Sequence, residues 1–365
     1  MRYLLELCCA SRAAELPATT DTWEEIINLA LFHGVAPLLW VNLQQRCLPD
    51  GVRDRLSAIH AANLIRSLRL KDEEERVLTA LEDSGVPALS LKGPGLSELL
   101  YGDPGVRQSA DLDILVQPKN LEGAQSLLEL LAYARESPAE FNEARKNHEL
   151  LFRRPQIDGP DFYLDLHQRL VPYAASDALA ERVWREGMSP GNLLLYLCVN
   201  QIVHRFSRLK YALDVQQHLQ RAGETLNWDG FVERARGIAW TPGVAECLCW
   251  SHELFGSRVP PRVIEALRPN GSGQRLLRLA FGGSAVSGLA QGAILDGPFG
   301  AIVILGCTSP GAARVRQACQ LLFPPGAYLR EQSVARSSDT VATLCAERLG
   351  RNLTVALRHL LFSRR

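Results

Sequence analysis

Apolar residues recur at intervals of three and four over the first part of the chain, which is the spacing of an amphipathic helix. The pattern is longest over residues 52–81, where pairs such as Leu64 and Leu68 would share one helix face. The charged run 71–76 falls within it, and we interpret this run as the solvated face of the same helix. Residues 1–85 are therefore predicted to form an N-terminal helical region.

Short apolar runs replace the helical spacing after Gly85, where the sequence is typical of a helix end. Such runs, bounded by Gly, Pro and Asp, predict β-strands. They occupy residues 86–91, 111–116, 150–152 and 162–167. Helical spacing lies between them at 96–101 and 118–131. A small mixed sheet with helices packed against it is therefore predicted over residues 86–175.

Helical spacing returns in the second half of the chain and predicts a helical domain over residues 176–270. Its helices are expected at residues 193–206, 209–219, 229–236 and 244–255. Residues 271–365 begin with a glycine-rich stretch at 282–310, whose structure the pattern does not decide. They end in a basic amphipathic helix that we interpret as docked on the protein, with membrane or partner binding as the alternative. The whole chain is predicted to be α+β, with a small mixed-sheet core flanked by N-terminal and C-terminal helical regions.

The composition narrows the classes of partner. The 365 residues carry 40 Lys and Arg against 40 Asp and Glu, so the net charge gives no general electrostatic attraction to duplex nucleic acid. The nine cysteines contain no Cys-x-x-Cys pair and are odd in number, which indicates neither a zinc knuckle nor a disulfide framework. No apolar run reaches the ~20 residues of a membrane span. We therefore expect a cytoplasmic protein without a transmembrane segment.

Two aspartates carry the clearest chemical signal. Asp111 and Asp113 lie two positions apart in an otherwise apolar run, so on a strand both carboxylates would share one face at a separation of roughly 6–7 Å. Such a pair repels and is desolvated by an apolar sheet, so a cation is expected between them. Mg²⁺ fits, because it takes carboxylate oxygens and completes its octahedron with water and substrate phosphates.

Asp165 is the natural third ligand, because it stands between Leu164 and Leu166 in another predicted strand. Three carboxylates on adjacent strands can hold two metal ions, and such a pair clamps the entering and leaving oxygens of an in-line displacement at phosphorus. The pattern therefore predicts Asp111, Asp113 and Asp165 as the metal-binding and catalytic residues.

Candidate phosphate-binding residues follow the first predicted strand. Gly93 would let a triphosphate approach the backbone closely, and the amide of Gly95 with the helix start after it would receive phosphate oxygens. Lys92 and Arg107 are candidates to balance the phosphate charge. These four residues, together with His167, are predicted to bind the nucleotide.

Other polar residues have two interpretations each. His167 would share the face of Asp165 and serve as a base, a phosphate contact or a hydrogen-bond partner, or it is a strand-end histidine bonded to backbone. His148 precedes a strand and would reach the same cleft. Lys210 and Asp214 lie one helical turn apart and predict a stabilising ion pair, with a wall of the nucleotide or acceptor site as the alternative.

The ordered set of these residues resembles the uncharacterised nucleotidyltransferase family, a bacterial branch of the polymerase-β-like minimal nucleotidyltransferases. The resemblance covers most of the chain. It rests on Leu91-Lys92-Gly93, Tyr101, Pro104, Arg107, residues 111–116, His148, residues 164–167, His204, Leu209, Asp214, Trp228 and Phe323-Pro324-Pro325.

This resemblance implies a nucleotidyltransferase fold flanked by helices and a magnesium-dependent transfer of a nucleoside monophosphate from a nucleoside triphosphate. Asp111 and Asp113 match the paired metal ligands, and Asp165 matches the third carboxylate, which would also accept the proton of the acceptor hydroxyl. Family members resemble accessory enzymes of bacterial biosynthetic clusters. One departure concerns Pro94, which stands where the broader superfamily has Ser or Gly and has no amide hydrogen to donate to a phosphate.

Three hypotheses follow from the sequence. The first is a magnesium-dependent nucleotidyltransferase that uses a nucleoside triphosphate and an unknown small-molecule, peptide or protein acceptor. The second is a catalytically inactive nucleotide-binding or regulatory protein of the same fold, favoured by Pro94. The third is a helical interaction protein whose carboxylates are incidental.

Overall fold

The computed structural model describes residues 1–9, 16–17, 19–136, 148–171, 177–268, 272–290 and 300–322. Within these residues the protein is α+β, with a five-stranded mixed sheet and helices before it, after it and against it. This confirms the predicted fold class. The predicted C-terminal basic helix and Phe323-Pro324-Pro325 lie outside the described residues.

Four helices precede the sheet: α1 (Arg2–Cys8), α2 (Thr20–His33), α3 (Ala36–Leu43) and α4 (Asp50–Asp83). Helix α2 begins after Thr19, whose side-chain oxygen accepts from the backbone N–H of Thr22. It ends at Gly34, which adopts the left-handed conformation that a glycine tolerates best. The 34-residue helix α4 buries an apolar face that includes Val77 and Leu81. It also buries Glu73 and Glu74, so the interpretation of the charged run 71–76 as a solvated face is wrong for these two residues.

The sheet has strands β1 (Ala88–Ser90), β2 (Leu112–Val116), β3 (Ala134–Arg135), β4 (Glu149–Arg154) and β5 (Phe162–His167). Their spatial order is β1-β2-β5-β4-β3. Strands β2 and β5 are parallel, and the other neighbouring strands are antiparallel. Asp113 lies beside Asp165 in the parallel pair, and Glu149 lies opposite His167 in the antiparallel pair of β4 and β5. Because side chains alternate along a strand, this register places all four residues on one face of the sheet.

The opposite face of the sheet is apolar and packs against two helices. Helix α6 (Leu121–Leu130) follows β2 after a 3₁₀ turn, and it packs on this face together with α4. The resulting core contains Leu70, Val77, Leu81, Leu112, Ile114, Val116, Ala124, Leu128, Phe152, Leu164 and Leu166. Burial of these side chains is what fixes the register, since a slip by one residue would exchange the two faces.

A helical layer covers part of the polar face and continues to the end of the described chain. Helix α5 (Pro94–Tyr101) follows β1. After the sheet come α7 (Ala178–Glu186), α8 (Pro190–Val203), α9 (Leu209–Ala222), α10 (Trp228–Arg236), α11 (Thr241–Phe255), α12 (Pro261–Leu267), α13 (Ser272–Phe281), α14 (Ala285–Ala290), α15 (Gly300–Cys307) and α16 (Ala312–Leu322). The larger hydrophobic core extends from Leu4 to Cys307 and includes Leu115, which shares the face of Asp113. The N-terminal and C-terminal helices therefore share one core with the sheet.

The predicted strands are present, with different ends. The strand expected at 162–167 is found at those residues, whereas the strand expected at 86–91 is confined to Ala88–Ser90. The strand expected at 111–116 begins at Leu112, which leaves Asp111 immediately before it. The two-residue strand β3 was not predicted, because two residues carry no period.

The helix expected at 193–206 is found at Pro190–Val203 and ends earlier than predicted. Arg205 and Phe206 have positive φ angles of 54° and 59°, which no helix accommodates. The sharp turn that results leads directly into α9. Within the glycine-rich stretch whose structure the pattern left open, the described residues form α14 and α15.

Over the described ranges, no helix has both the length and the apolar character that crossing a membrane requires.

Candidate active site

The polar face of the sheet forms the floor of a small cleft, with a cavity volume of about 190 Å³. Strands β2, β4 and β5 supply the floor, and helices α8 and α9 supply a wall. The described residues that line it include Lys92, Arg107, Asp111, Asp113, His148, Glu149, Asp165, His167, Tyr196, Asn200, His204, Lys210 and Tyr211. The three predicted carboxylates therefore meet in one cleft.

Asp113 is the most enclosed of the three carboxylates, with 2% of its surface exposed. The Lys92 ammonium lies 2.8 Å from its Oδ1, and His167 Nε2 lies 2.9 Å from the same oxygen. Burial by itself would raise the pKa of Asp113, but the Lys92 charge and the His167 hydrogen bond outweigh it and hold the pKa well below its usual range. Asp113 is therefore an anion held by two cationic or donor groups.

Asp165 has the opposite environment. Its Oδ1 is buried, and no hydrogen-bond partner for it occurs among the residues that the structure describes. Burial, followed by the charges of Glu149 and Asp113, raises the pKa of Asp165 to about 7. Burying a hydrogen-bond acceptor without a donor destabilises the folded state, so a bound cation or a proton would stabilise this carboxyl group.

Asp111 lies one residue before β2 and lines the same cleft as Asp113 and Asp165. Burial and the neighbouring Asp113 charge raise its pKa. The three carboxylates therefore repel one another across the cleft, and the Lys92 ammonium contacts Asp113 among them.

His167 links Asp113 to two further polar side chains, Glu149 and His148. Its other ring nitrogen, Nδ1, lies 3.5 Å from Glu149 Oε2, and the same oxygen lies 3.5 Å from His148 Nε2. The two imidazole rings are 5.0 Å apart in an edge-to-face arrangement. Burial acts to lower the pKa of His167, but the hydrogen bond to Asp113 and the Glu149 charge raise it overall.

Arg107 lines the cleft, but its guanidinium is bound to another carboxylate. Its Nε donates to both oxygens of Asp214 at 2.9 and 3.1 Å, and its Nη1 donates to Ser109 Oγ. Tyr101 also donates to Asp214, at 3.3 Å. The ion pair predicted between Lys210 and Asp214 is therefore wrong, because Asp214 on α9 faces Arg107 instead.

Lys210 extends from α9 into the cleft, where its Nζ lies 3.4 Å from the carbonyl oxygen of Gln108. Burial and the nearby Arg107 charge lower its pKa to about 8. Across the described part of the chain, no carboxylate lies within ion-pair distance of this ammonium. The neighbouring Tyr211 ring stacks on His204 with centroids 4.2 Å apart, and both rings line the cleft.

The glycine turn lies beside the cleft floor, against helix α4. Gly93 has a φ of 83°, so a side chain there would be strained, and a Cβ would lie 3.4 Å from Glu74 Oε1. Gly95 also neighbours the Glu74 carboxylate, which accepts a hydrogen bond from Ser90 Oγ. Pro94 is the first residue of α5, where a missing amide hydrogen costs the helix nothing. The turn thus directs Lys92 toward Asp113, while the two glycines neighbour Glu74.

Sequence reasoning did not identify Glu149, Tyr196, Asn200 or Tyr211 as cleft residues. Glu149 had one available signal, because it directly follows His148 at the start of a predicted strand. The other three lie on helices whose apolar spacing says nothing about which turn faces the sheet.

The fold and the cleft define an α+β protein whose acidic site combines three carboxylates with lysine, arginine and histidine. The chain belongs to the uncharacterised nucleotidyltransferase family, whose model matches residues 19–256. The match begins at the start of α2 and ends after α11, so it contains the whole sheet and every wall of the cleft. Neither the curated proteins nor the solved structures contain a match to the chain.

Proposed function

We propose that the protein is a magnesium-dependent nucleotidyltransferase that moves a nucleoside monophosphate from a nucleoside triphosphate to an acceptor and releases pyrophosphate. One observation carries the proposal. Asp113 and Asp165 are neighbours on parallel strands, Asp111 lines the same cleft, and Asp165 Oδ1 is buried without a donor among the described residues. This is the site that a cation would complete.

The donor set fits Mg²⁺, which binds carboxylate oxygens and leaves positions for water and phosphates. Asp111, Asp113 and Asp165 are the residues that would hold it, and three carboxylates suffice for two ions. Bound Mg²⁺ supplies charge neutralisation and orientation at the phosphorus under attack.

The chain's own residues supply the remaining chemistry. The acceptor oxygen attacks the α-phosphorus, the bond from that phosphorus to pyrophosphate breaks, and Asp165 takes the acceptor's proton. Lys210 is our choice for the principal phosphate contact, because its buried ammonium faces the cleft. Lys92, Arg107 and His167 also line the cleft and are retained as nucleotide-binding residues.

Gly93 and Gly95 contribute to nucleotide binding through the turn that carries Lys92, since both glycines neighbour Glu74. The acceptor is a small molecule, a peptide or a protein, and we propose that the enzyme serves a bacterial biosynthetic cluster. A cytoplasmic location agrees with the supply of nucleoside triphosphates there.

The test uses each nucleoside triphosphate labelled at the α-phosphate, with Mg²⁺ and a bacterial extract, followed by mass spectrometry of any product that gains a nucleotide. We expect label transfer and pyrophosphate release with the wild-type protein. The double variant Asp111→Asn/Asp113→Asn should lose both while unfolding cooperatively as wild type does. Equal label transfer by this folded double variant would exclude the proposal.

A second candidate is a nucleotide-binding protein without catalysis. It is favoured by the existing ion pairs of Lys92 with Asp113 and of Arg107 with Asp214, which already neutralise two cations of the cleft. Calorimetry with each triphosphate and Mg²⁺ separates the two functions. Binding of a triphosphate without label transfer to any component of the extract would favour this second candidate.

A further inference from the structure

We propose that His148, Glu149 and His167 form a second metal site beside the carboxylates, which takes a transition ion of the Zn²⁺ type rather than Mg²⁺. The three side chains offer two imidazole nitrogens and a carboxylate oxygen within 4.8 Å of one another. All three are buried, with 7, 6 and 4% of their surfaces exposed, and all three line the cleft, which gives an ion a way in.

The distances within the trio match coordination better than hydrogen bonding. Glu149 Oε2 lies 3.5 Å from His148 Nε2 and 3.5 Å from His167 Nδ1, which is longer than an ordinary hydrogen bond. Two ligand atoms on a tetrahedral ion with bonds of roughly 2.1 Å are separated by about 3.4 Å. An ion therefore fits between these atoms with little movement of the side chains.

The hydrogen bond that His167 makes to Asp113 indicates which of its two ring nitrogens would bind the metal. A metal-bound histidine nearly always donates its other ring N–H to a carboxylate or carbonyl, which orients the ring. Here Nε2–H donates to Asp113 Oδ1 at 2.9 Å, and the buried Nδ1, which faces Glu149, has no hydrogen-bond partner within the described residues. Asp113 thus serves the Mg²⁺ site directly and the second site through His167.

The backbone holds the trio in place. Glu149 and His167 are direct cross-strand partners of β4 and β5, and the ladder extends by one more bond from the amide of Gln168 to the carbonyl oxygen of His148. Sites built on paired strands keep their ligands at fixed separations. The donor set selects the metal, because imidazole nitrogens suit Zn²⁺ and its neighbours whereas Mg²⁺ takes oxygen ligands.

Metal binding is tested with Co²⁺ alone as the spectroscopic probe, on full-length protein stripped with a chelator. The exposed thiols of Cys9 and Cys47 are alkylated first, because cysteines also bind such ions. We expect one tightly bound equivalent of Co²⁺ with the visible absorption of a four-coordinate nitrogen and oxygen site, distinct from the weaker binding of Co²⁺ by the carboxylates. The His148→Ala and Glu149→Gln variants should each lower Co²⁺ affinity at least tenfold, whereas His60→Ala, a change on α4 outside the cleft, should not.

The Asp111→Asn variant separates this inference from the proposed function. It should abolish nucleotide transfer and still bind Co²⁺ as wild type does, since Asp111 is not a member of the trio. Loss of Co²⁺ binding in Asp111→Asn, or equal binding by His148→Ala and Glu149→Gln, would overturn the second site.

A measurement on the wild-type protein tests the ligand set even if the variants do not fold. Proton NMR of the Co²⁺-loaded protein should show two strongly shifted, exchangeable imidazole N–H signals, one for each histidine ligand. Fewer than two such signals would contradict the ligand set of His148 and His167.

Discussion

Buried carboxylates lie near both faces of the sheet, and the surroundings on the two faces differ. Glu73 on α4 is 4% exposed and accepts hydrogen bonds from Arg76, Tyr133 and Arg154. Burial acts to raise the pKa of Glu73, but the donors, Arg76 first, lower it overall. Asp165, on the other face, has acidic neighbours instead, and its pKa rises to about 7.

We propose that this difference separates a structural carboxylate from a functional one. Glu73 is satisfied by hydrogen-bond donors of the protein. The cleft carboxylates repel one another, and among the described residues the Lys92 ammonium forms an ion pair with Asp113 alone, so we propose that a bound cation is their further partner. The predictions below test this contrast in order of decreasing effect.

Replacing Asp165 by Asn should have the largest effect. Under the proposed function, loss of this carboxylate removes several kcal/mol of transition-state stabilisation. Since each 1.4 kcal/mol is a factor of ten, nucleotide transfer should fall about a thousandfold or more. Label transfer from an α-labelled triphosphate measures it. The control is Asp158→Asn, an exposed aspartate in the turn between β4 and β5, which should retain wild-type transfer. A folded Asp165→Asn variant of near wild-type activity would show that this carboxylate has no functional part.

Replacing Glu73 by Gln should instead reduce stability. It leaves Arg154 and the Tyr133 hydroxyl without their anion, and breaking a buried pair on one side costs about 3 kcal/mol. Urea unfolding should show this loss. A Glu73→Gln protein as stable as wild type would mean that the cluster is not structural.

The pH dependence of stability should separate the two clusters in metal-free protein. The folded-state pKa of Asp165, about 7, lies above its unfolded value of about 3.9, so between these values the folded state binds the extra proton. Stability contributed by this group is therefore present below pH ~4 and is lost as the pH rises toward 7. The Asp165→Asn variant should become more stable relative to wild type as the pH rises across this window, measured by urea unfolding with a chelator present. A gain that is independent of pH would be inconsistent with the raised pKa.

Replacing Lys210 by Gln should have the smallest effect of the four. Loss of one charge-assisted hydrogen bond to phosphate weakens nucleotide binding about tenfold. Calorimetry with triphosphate and Mg²⁺ measures the dissociation constant. The matched control is Lys71→Gln, whose ammonium pairs with Glu98 at 2.7 Å on the surface and should leave binding unchanged. Equal affinity in both variants would exclude Lys210 as a phosphate contact.

The sequence predicted the floor of the cleft because short-range patterns determine it. The spacing of Asp111 and Asp113 and the apolar neighbours of Asp165 fix which face each carboxylate takes once strands form. Helix positions were predicted to within a few residues for the same reason. The end of α8 was missed, since Arg205 and Phe206 adopt positive φ angles that no local pattern of theirs indicates.

Long-range pairings were beyond the sequence. Asp214 pairs with Arg107 and not with Lys210, which lies one turn away on the same helix. This pairing depends on how α9 packs against α5, the helix that precedes Arg107. Glu149 joins the cleft only because the β4–β5 register sets it opposite His167. Such contacts are properties of tertiary packing, which residue spacing along one element does not encode.

The most direct test of the central claim is thermal unfolding with increasing Mg²⁺, at a pH above the Asp165 value of about 7. A ligand that binds only the folded state raises the midpoint, and an ion at about tenfold its dissociation constant should raise it by about 2–4 °C in a protein of this size. We predict this rise for wild type and for Asp158→Asn, and its absence in Asp165→Asn. Equal Mg²⁺ stabilisation of all three proteins, or none in wild type, would contradict the claim that the cleft carboxylates bind a cation.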